Sequence, residues 1–442
     1  MAILKNQSIL RSTNLPLGPA DNFPSKAAAL VQSISSFNET ARNFEIQQLA
    51  VERASALFKC KFAYVSASFD DAIVRAVLCA LLRFGDLIME LDLGRGKRFI
   101  NELPFGLPNS WFNFISVEID KTTNSINMSE LAKFASLCRP KLIFVNANSY
   151  PKEVDWLKLR KVADAIGACL VTDVSTISGL IAARCLPSPI PYCHVVITTT
   201  HESLKGPLGS LVMTNDSLVA SWLSFVPVLQ WSSVAAAQAA AFHEASSLQF
   251  KQWALAAIRN AKALSVRLIQ NGLSLISGGN VNHLIVIDLK PLQLSWETVN
   301  QVLNSCYISA SRHFLSNDAS RLYFGTSALT SRGMSEPQMS AIADIISKIL
   351  IKLSLVRGIS AHFEAEVRKF VLKLAFDFPV YRENIIQLSE VPPVQLQLTA
   401  NSPTKVRNQS SLNCPKLTSP RGDNSDMQKS STLPSEVAGK VS

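Results

Sequence analysis

The most constraining feature of this 442-residue chain is the alternation of short apolar runs with amphipathic segments between Phe44 and Phe250. Runs such as Lys141–Val145 and Cys169–Thr172 are rich in aliphatic and β-branched residues, which predicts buried strands. Intervening segments such as Phe44–Phe58 and Val154–Ile166 place apolar residues at helical spacing. This alternation predicts an α/β fold with a mostly parallel sheet and helices on both faces.

Composition divides the chain into four parts. Pro, Asn and Ser are frequent near the start, a long helix is expected from about Trp253, and after Tyr381 the sequence turns to Ser, Pro, Asn and Gln. The last change is typical of disorder. The predicted parts are an N-terminal arm (1–43), a large domain (44–252), a smaller α/β C-terminal domain (253–382) and a disordered tail (383–442).

Charge and cysteine usage argue against several classes of function. The net charge is +10, but no Lys/Arg run is interleaved with aromatic residues, so a solvated basic surface is favoured over nucleic-acid binding. The eight cysteines have neither CxxC nor metal-ligand spacing, which predicts reduced thiols in an intracellular protein and no metal site. No apolar run is long enough to predict a transmembrane helix, and no membrane partner is expected.

The first residues leave the compartment open. Lys5 and Arg11 precede the first acidic residue, Asp21, with several Ser and Thr between them. This pattern fits a weak mitochondrial presequence and equally an ordinary disordered start. The expected location is therefore cytoplasmic or mitochondrial.

A candidate site lies where the strand predicted at Val195–Thr200 ends in His201 and Glu202. A turn containing Gly206, Pro207 and Gly209 follows. A strand of an α/β protein that stops at polar residues usually presents them at the carboxyl edge of the sheet, where ligands bind. A hairpin corner facing water is the alternative interpretation.

Several motifs in the chain also form a recognisable set. They are Arg139–Ile143, Ser149–Pro151, Asp173 followed by Gly179–Ala183, Pro187–Pro191 leading to Thr198–His201, Ser277–Gly279 with Asn282–Leu284, and Phe378–Tyr381. In order and spacing they resemble the serine hydroxymethyltransferase family from about Glu45 to Tyr381. The resemblance implies the aspartate-aminotransferase-like fold of type I pyridoxal-phosphate enzymes, with pyridoxal phosphate as the expected cofactor.

The resemblance also assigns residues to the cofactor site. Asp173 matches the carboxylate at the pyridine nitrogen, and Thr199 and His201 lie in the cofactor-lysine segment, so these three are the candidate cofactor-binding residues. Glu202 stands where the family has its Schiff-base lysine, and a carboxylate supplies no amine nucleophile. Lys205 is a displaced alternative for that lysine, and a packed, neutral role is the alternative for His201. No catalytic residue is predicted.

Further departures from the family fall at its cofactor and substrate contacts. They are Asp70 and Asp71 at the phosphate-binding helix start, Arg98 at the stacking histidine, Thr176 at a second active-site histidine, Leu208 at the arginine of the glycine-rich turn, Val228–Ser233 at the Gly-Gly given to the neighbouring subunit, Tyr323 at the substrate-carboxylate arginine, and Ala27–Leu30 at the N-terminal Tyr and Glu. Carboxylates at a helix start repel a phosphate dianion. Together these departures argue against retained binding of pyridoxal phosphate.

Three hypotheses follow. The first is a catalytically inactive family member that acts as a homo-oligomer, or as a regulatory hetero-oligomer with an active paralogue, linked to one-carbon metabolism. The second is a residual enzyme that converts serine and tetrahydrofolate to glycine and methylenetetrahydrofolate. The third, which depends only on the positive charge, is a protein that binds RNA or another polyanion.

Overall fold

The computed structural model describes residues 14–18, 21–35, 43–68, 71–93, 111–120, 125–148, 150–224, 232–276, 281–310 and 320–380. The strands are β1 (Leu15–Pro16), β2 (Phe62–Ser66), β3 (Leu87–Asp92), β4 (Asn113–Glu118), β5 (Leu142–Asn146), β6 (Cys169–Asp173), β7 (Val195–Thr199), β8 (Ser210–Thr214), β9 (Leu284–Asp288), β10 (Ile308–Ser309) and β11 (Arg321–Gly325).

The helices of the described residues follow in the same way. They are α1 (Lys26–Ser35), α2 (Asn43–Phe58), α3 (Asp71–Leu81), α4 (Met128–Cys138), α5 (Trp156–Ile166), α6 (Ser178–Ala182), α7 (Ser217–Leu223), α8 (Ser232–Ala245), α9 (Leu248–Gln270), α10 (Trp296–Ser305), α11 (Ser327–Ser331), α12 (Glu336–Val356) and α13 (Ala361–Asp377). None of them combines the length and hydropathy that crossing a membrane requires.

The central sheet has seven strands within the described residues, in the order β2-β8-β7-β6-β5-β3-β4. The neighbouring pairs from β7 to β4 are parallel, and β8 runs antiparallel to both β7 and β2. The predicted α/β class with a mostly parallel sheet is therefore confirmed. Because β5, β6 and β7 are parallel, their carboxyl ends lie at one edge of the sheet.

Helices cover both faces of this sheet because successive strand residues point to opposite sides. Ile143 and Val145 pack in one apolar cluster with residues of α2, α4 and α5. Phe144, between them, packs in a second cluster with residues of α3 and α7, and Val171 and Ile197 join it there. The second cluster marks the sheet face to which the candidate site belongs.

A separate core is built around the antiparallel pair β9 and β11. Residues of α9, α10, α12 and α13 pack around these strands, and Leu15 and Leu17 from the start of the described chain are buried in the same cluster. β1 pairs in parallel with β10 at this point. The predicted boundary at residue 252 falls inside α9, and the predicted tail from residue 383 lies outside the described residues.

The alanine-rich composition of Ser233–Phe250 predicts one helix over this stretch, and that prediction is wrong at its end. The structure ends α8 at Ala245 and starts α9 at Leu248, because the Ser247 side chain accepts a hydrogen bond from the Phe250 N–H at 3.1 Å. A serine in this position caps a new helix by satisfying one of its exposed N–H groups. The connecting helix is therefore longer at its start than the prediction from Trp253.

Candidate functional site

A band of polar side chains crosses the carboxyl edge of the central sheet on the face of the second apolar cluster. Asn146 is paired with Asp173, and Asp173 with Ile197. Thr199 lies two residues after Ile197 and therefore shares its face, and its partner Ser210 continues the band. Each polar member is buried. The structure thus brings Asp173 and Thr199, both predicted from sequence, to the same edge and face.

Asp173 and Thr199 are joined through Ser175. The carboxylate oxygen Oδ1 of Asp173 accepts hydrogen bonds from the N–H of Ser175 at 3.0 Å and from its hydroxyl at 2.6 Å. The Ser175 hydroxyl oxygen in turn accepts from the N–H of Thr199 at 2.9 Å. Ser175 was missed in the sequence, although Asp-x-Ser is a pattern in which an aspartate caps the following turn. The orientation of the Asp173 carboxylate is fixed by this turn.

Thr176 donates two hydrogen bonds to Asn148, one from its main chain and one from its side chain. Its N–H donates to Oδ1 of Asn148 at 3.1 Å, and its hydroxyl donates to the main-chain oxygen of Asn148 at 2.8 Å. These bonds tie the loop after β6 to the loop after β5. Thr176 therefore acts as a structural bridge between two strand ends.

Two buried atoms of the polar band have no hydrogen-bond partner among the described residues. They are Nδ2 of Asn146 and Oγ1 of Thr199, which lie on either side of Asp173. Buried polar groups in folded proteins are almost always satisfied, by protein, water or ligand. The edge therefore keeps unused hydrogen-bonding capacity next to the Asp173 carboxylate.

The polar residues after β7 sit on a closed turn between Thr200 and Gly209. The Gly206 N–H donates to the Thr200 oxygen at 2.7 Å, and the Thr200 N–H donates to the Gly209 oxygen at 2.9 Å. A Cβ on Gly206 would lie 2.7 Å from the Thr200 oxygen, and one on Gly209 would lie 2.6 Å from the Ser66 oxygen. The two glycines are therefore required by close backbone approach.

Glu202 is buried on this turn, with 8% of its surface exposed. Its main-chain oxygen accepts a hydrogen bond from the Asn22 side-chain amide at 2.9 Å. The next residue, Ser203, uses its hydroxyl oxygen to accept the Gly179 N–H at 2.8 Å. The turn thus presents a buried carboxylic acid side chain on a backbone that is held from two directions.

Lys205 points toward α9. Its ammonium nitrogen lies 5.0 Å from the centre of the Trp253 ring, a cation–π distance. Burial lowers the pKa of Lys205, and the nearby Glu244 carboxylate opposes that shift. The Lys205 main-chain oxygen accepts the Ser25 N–H at 2.8 Å, and its φ of 58° is left-handed. The Lys205 amine therefore lies against the ring of Trp253.

His201 is partly buried at the end of the strand. Burial lowers the pKa of its imidazole from 6.5 to about 4, so the ring is neutral at pH 7. Its Nδ1 atom has no hydrogen-bond partner within the described part of the chain. A neutral ring is consistent with the packed role that the sequence offered as an alternative.

The remaining predicted positions are dispersed. Leu208 is 55% exposed on the turn, Tyr323 is buried in β11, and Ala27–Leu30 lie in α1. Asp70, Arg98 and residues 228–231 lie outside the described residues, as does the side chain of Asp71. The described part of the chain contains no cluster of His, Cys, Asp or Glu that could hold a metal ion.

Comparison with known proteins identifies the scaffold. The family model for serine hydroxymethyltransferase matches residues 40–222 and 225–346. A serine hydroxymethyltransferase of Rhizobium rhizogenes is 35% identical over 348 residues, covering 76% of this chain and 81% of that protein. One of Bartonella henselae is 36% identical over 349 residues, covering 76% and 80%. One of Prochlorococcus marinus is 32% identical over 409 residues, covering 87% and 96%.

Proposed function

The chain belongs to the serine hydroxymethyltransferase family and has its type I pyridoxal-phosphate enzyme fold, but we propose that it does not catalyse the family's reaction. We propose instead that it acts by association, as an oligomerising or regulatory subunit linked to one-carbon metabolism. The partner is a second copy of the chain or an active paralogue.

The buried Glu202 carries this proposal. We infer from the sequence motifs around it that Glu202 stands where the family has its Schiff-base lysine, and a carboxylate cannot condense with an aldehyde to form a C=N bond. Lys205 supplies the side-chain amine of this turn, but its ammonium lies against the Trp253 ring and its main-chain oxygen accepts the Ser25 N–H. The donor set of the turn therefore does not fit a covalently held pyridoxal phosphate.

Retention of the scaffold supports a role in association. The described residues form a seven-stranded sheet with apolar clusters on both faces and a separate core around β9 and β11. Core packing and site chemistry are separable properties of a fold, so one can persist without the other.

The cysteines of the described residues are free thiols, which supports an intracellular location for the protein.

Purified full-length protein, with and without added pyridoxal phosphate, tests the proposal. We expect no visible absorbance from bound cofactor, no serine–glycine exchange with tetrahydrofolate, and a mass in solution of a dimer or larger assembly, alone or with an active paralogue. Exchange activity with bound cofactor would overturn the inactive assignment. A monomer that does not associate with an active paralogue would overturn the proposed association.

A residual hydroxymethyltransferase is the second candidate, and the polar band favours it. Asp173 is fixed in orientation, and Nδ2 of Asn146 and Oγ1 of Thr199 remain without partners beside it among the described residues. This candidate predicts that pyridoxal phosphate raises the Tm of the wild type and that Asp173→Asn removes the rise. Equal Tm values with and without millimolar cofactor would eliminate it.

A further inference from the structure

The segment Asp21–Ser25, here called the strap, crosses the turn that carries Glu202. It follows a stretch that is anchored in the separate core around β9 and β11, where Leu15 is paired with Ile308 and the Gly325 N–H donates to the Leu17 main-chain oxygen at 2.7 Å. Asp21 is fixed at its start, since its carboxylate accepts the Gly18 N–H at 2.8 Å. The strap therefore leaves a firmly held part of the chain.

The strap holds both ends of the Glu202–Lys205 turn. The Asn22 side-chain amide donates to the Glu202 oxygen at 2.9 Å, and the Ser25 N–H donates to the Lys205 oxygen at 2.8 Å. These contacts join residues about 180 positions apart in the sequence. The conformation of the turn therefore depends on the N-terminal segment as well as on the sheet.

The same asparagine connects the turn to two helices. The Ser331 hydroxyl at the end of α11 donates to Oδ1 of Asn22 at 2.8 Å. The Trp253 indole N–H on α9 donates to the Ser331 oxygen at 3.1 Å. The Lys205 ammonium in turn lies against the Trp253 ring. The turn is therefore connected through Asn22 and Ser331 to Trp253, and Trp253 contacts the turn again through Lys205.

We propose that the strap is a conformational lock that keeps the Lys205 amine on Trp253 and unavailable to ligands of the sheet edge. Displacement of Asp21–Ser25, by a partner that takes up the N-terminal segment, releases the turn and exposes the Lys205 amine. The lock is independent of whether the edge binds a cofactor, so its failure and that of the proposed inactivity are measured separately.

Two readouts in the full-length protein test the lock: amide exchange at Ser203–Gly206, and acylation of Lys205 by an amine-reactive ester with the labelled peptide identified by mass. Asn22→Ala removes the side-chain hydrogen bonds of Asn22 to the Glu202 main-chain oxygen and to the Ser331 hydroxyl. We therefore expect Asn22→Ala to speed both readouts roughly tenfold. Asn22→Asp keeps the acceptor for Ser331 and removes the donor to Glu202, so it isolates the contact to the turn.

Asn113→Ala is the matched control, because Asn113 also donates its side-chain amide to a main-chain oxygen, that of Gly85 at 2.8 Å, at the opposite edge of the sheet. We expect it to change neither readout. Ser331→Ala, which leaves Asn22 in place, is expected to speed acylation of Lys205 through loss of the bridge to Trp253. Unchanged exchange and acylation in both Asn22 variants and in Ser331→Ala would overturn the lock.

Discussion

The two histidines next to β7 show how single residues set the pH response. His194 accepts the Leu170 N–H at its Nδ1, 2.9 Å away, and burial together with Arg160 lowers its pKa. Burial lowers that of His201 to about 4. Both rings are therefore neutral in the folded protein near pH 7, and folding disfavours their protonation.

This neutrality predicts a loss of stability in mild acid. A folded pKa below the unfolded value means that the unfolded chain binds more protons, so stability is full above about pH 6.5 and falls toward pH 4. For His201 the loss approaches about 3 kcal/mol at the acid end. Urea unfolding at pH 7 and pH 5 checks this, and His201→Gln should narrow the difference between the two pH values. If the free energy of unfolding changed equally between pH 7 and pH 5 in His201→Gln and in the wild type, the predicted burial of a neutral ring would be contradicted.

Whether an element could be predicted from sequence depended on where its stabilising contacts come from. The long helices and the strands of the sheet follow from periodicity and apolar runs within their own residues. The short helices α6 and α11 have no capping side-chain hydrogen bond and so carry no local signal. They depend on distant contacts, such as the Gly179 N–H to Ser203 and the Thr326 hydroxyl to the Ala257 oxygen at 2.7 Å.

The same distinction applies to the site. The meeting of Asp173 and Thr199 follows from the rule that parallel strands end at one edge of a sheet. The roles of Asn22, Asn148 and Ser331 could not be predicted, because each depends on a partner far away in sequence. The orientation of the Lys205 amine toward Trp253 also required the three-dimensional arrangement.

The contact between α6 and the turn gives a prediction at the level of elements. A Cβ on Gly179 would lie 2.1 Å from the Ser203 main-chain oxygen, which no side-chain adjustment relieves. We expect Gly179→Ala to lower the free energy of unfolding by about 2 kcal/mol or more through overpacking. Gly358→Ala is the matched control, because a Cβ there meets no atom within 4 Å. Equal urea midpoints for the two variants would contradict the close approach.

At the scale of the whole molecule, the buried cation of Arg332 joins the N-terminal and C-terminal ends of the described chain at the separate core around β9 and β11. Arg332 donates to the main-chain oxygens of Phe378 at 2.6 Å, Ala375 at 2.9 Å and Asn14 at 3.0 Å. Two of these acceptors lie at the end of α13, where the helix dipole favours positive charge. Burial lowers the pKa of Arg332 to about 10, which leaves it charged at pH 7. The segment that leads to the strap is thus tied to the last described helix.

For the whole chain we propose that the scaffold of the family persists while the carboxylate of Glu202 stands at the position of the Schiff-base lysine. Glu202→Lys restores an amine at that position and provides the positive control for covalent capture. In the wild type the Asn22 amide donates to the main-chain oxygen of residue 202, an acceptor that a side-chain substitution leaves in place.

Borohydride reduction of the full-length protein with pyridoxal phosphate, followed by peptide mass analysis, tests whether any lysine of the wild type bonds the cofactor. Reduction converts any C=N bond between cofactor and lysine into a stable adduct. We expect an adduct at residue 202 in Glu202→Lys and no stoichiometric adduct in the wild type, at Lys205 or at any other lysine. A stoichiometric adduct on a wild-type lysine, accompanied by serine–glycine exchange, would contradict the proposed loss of the cofactor-bonding lysine.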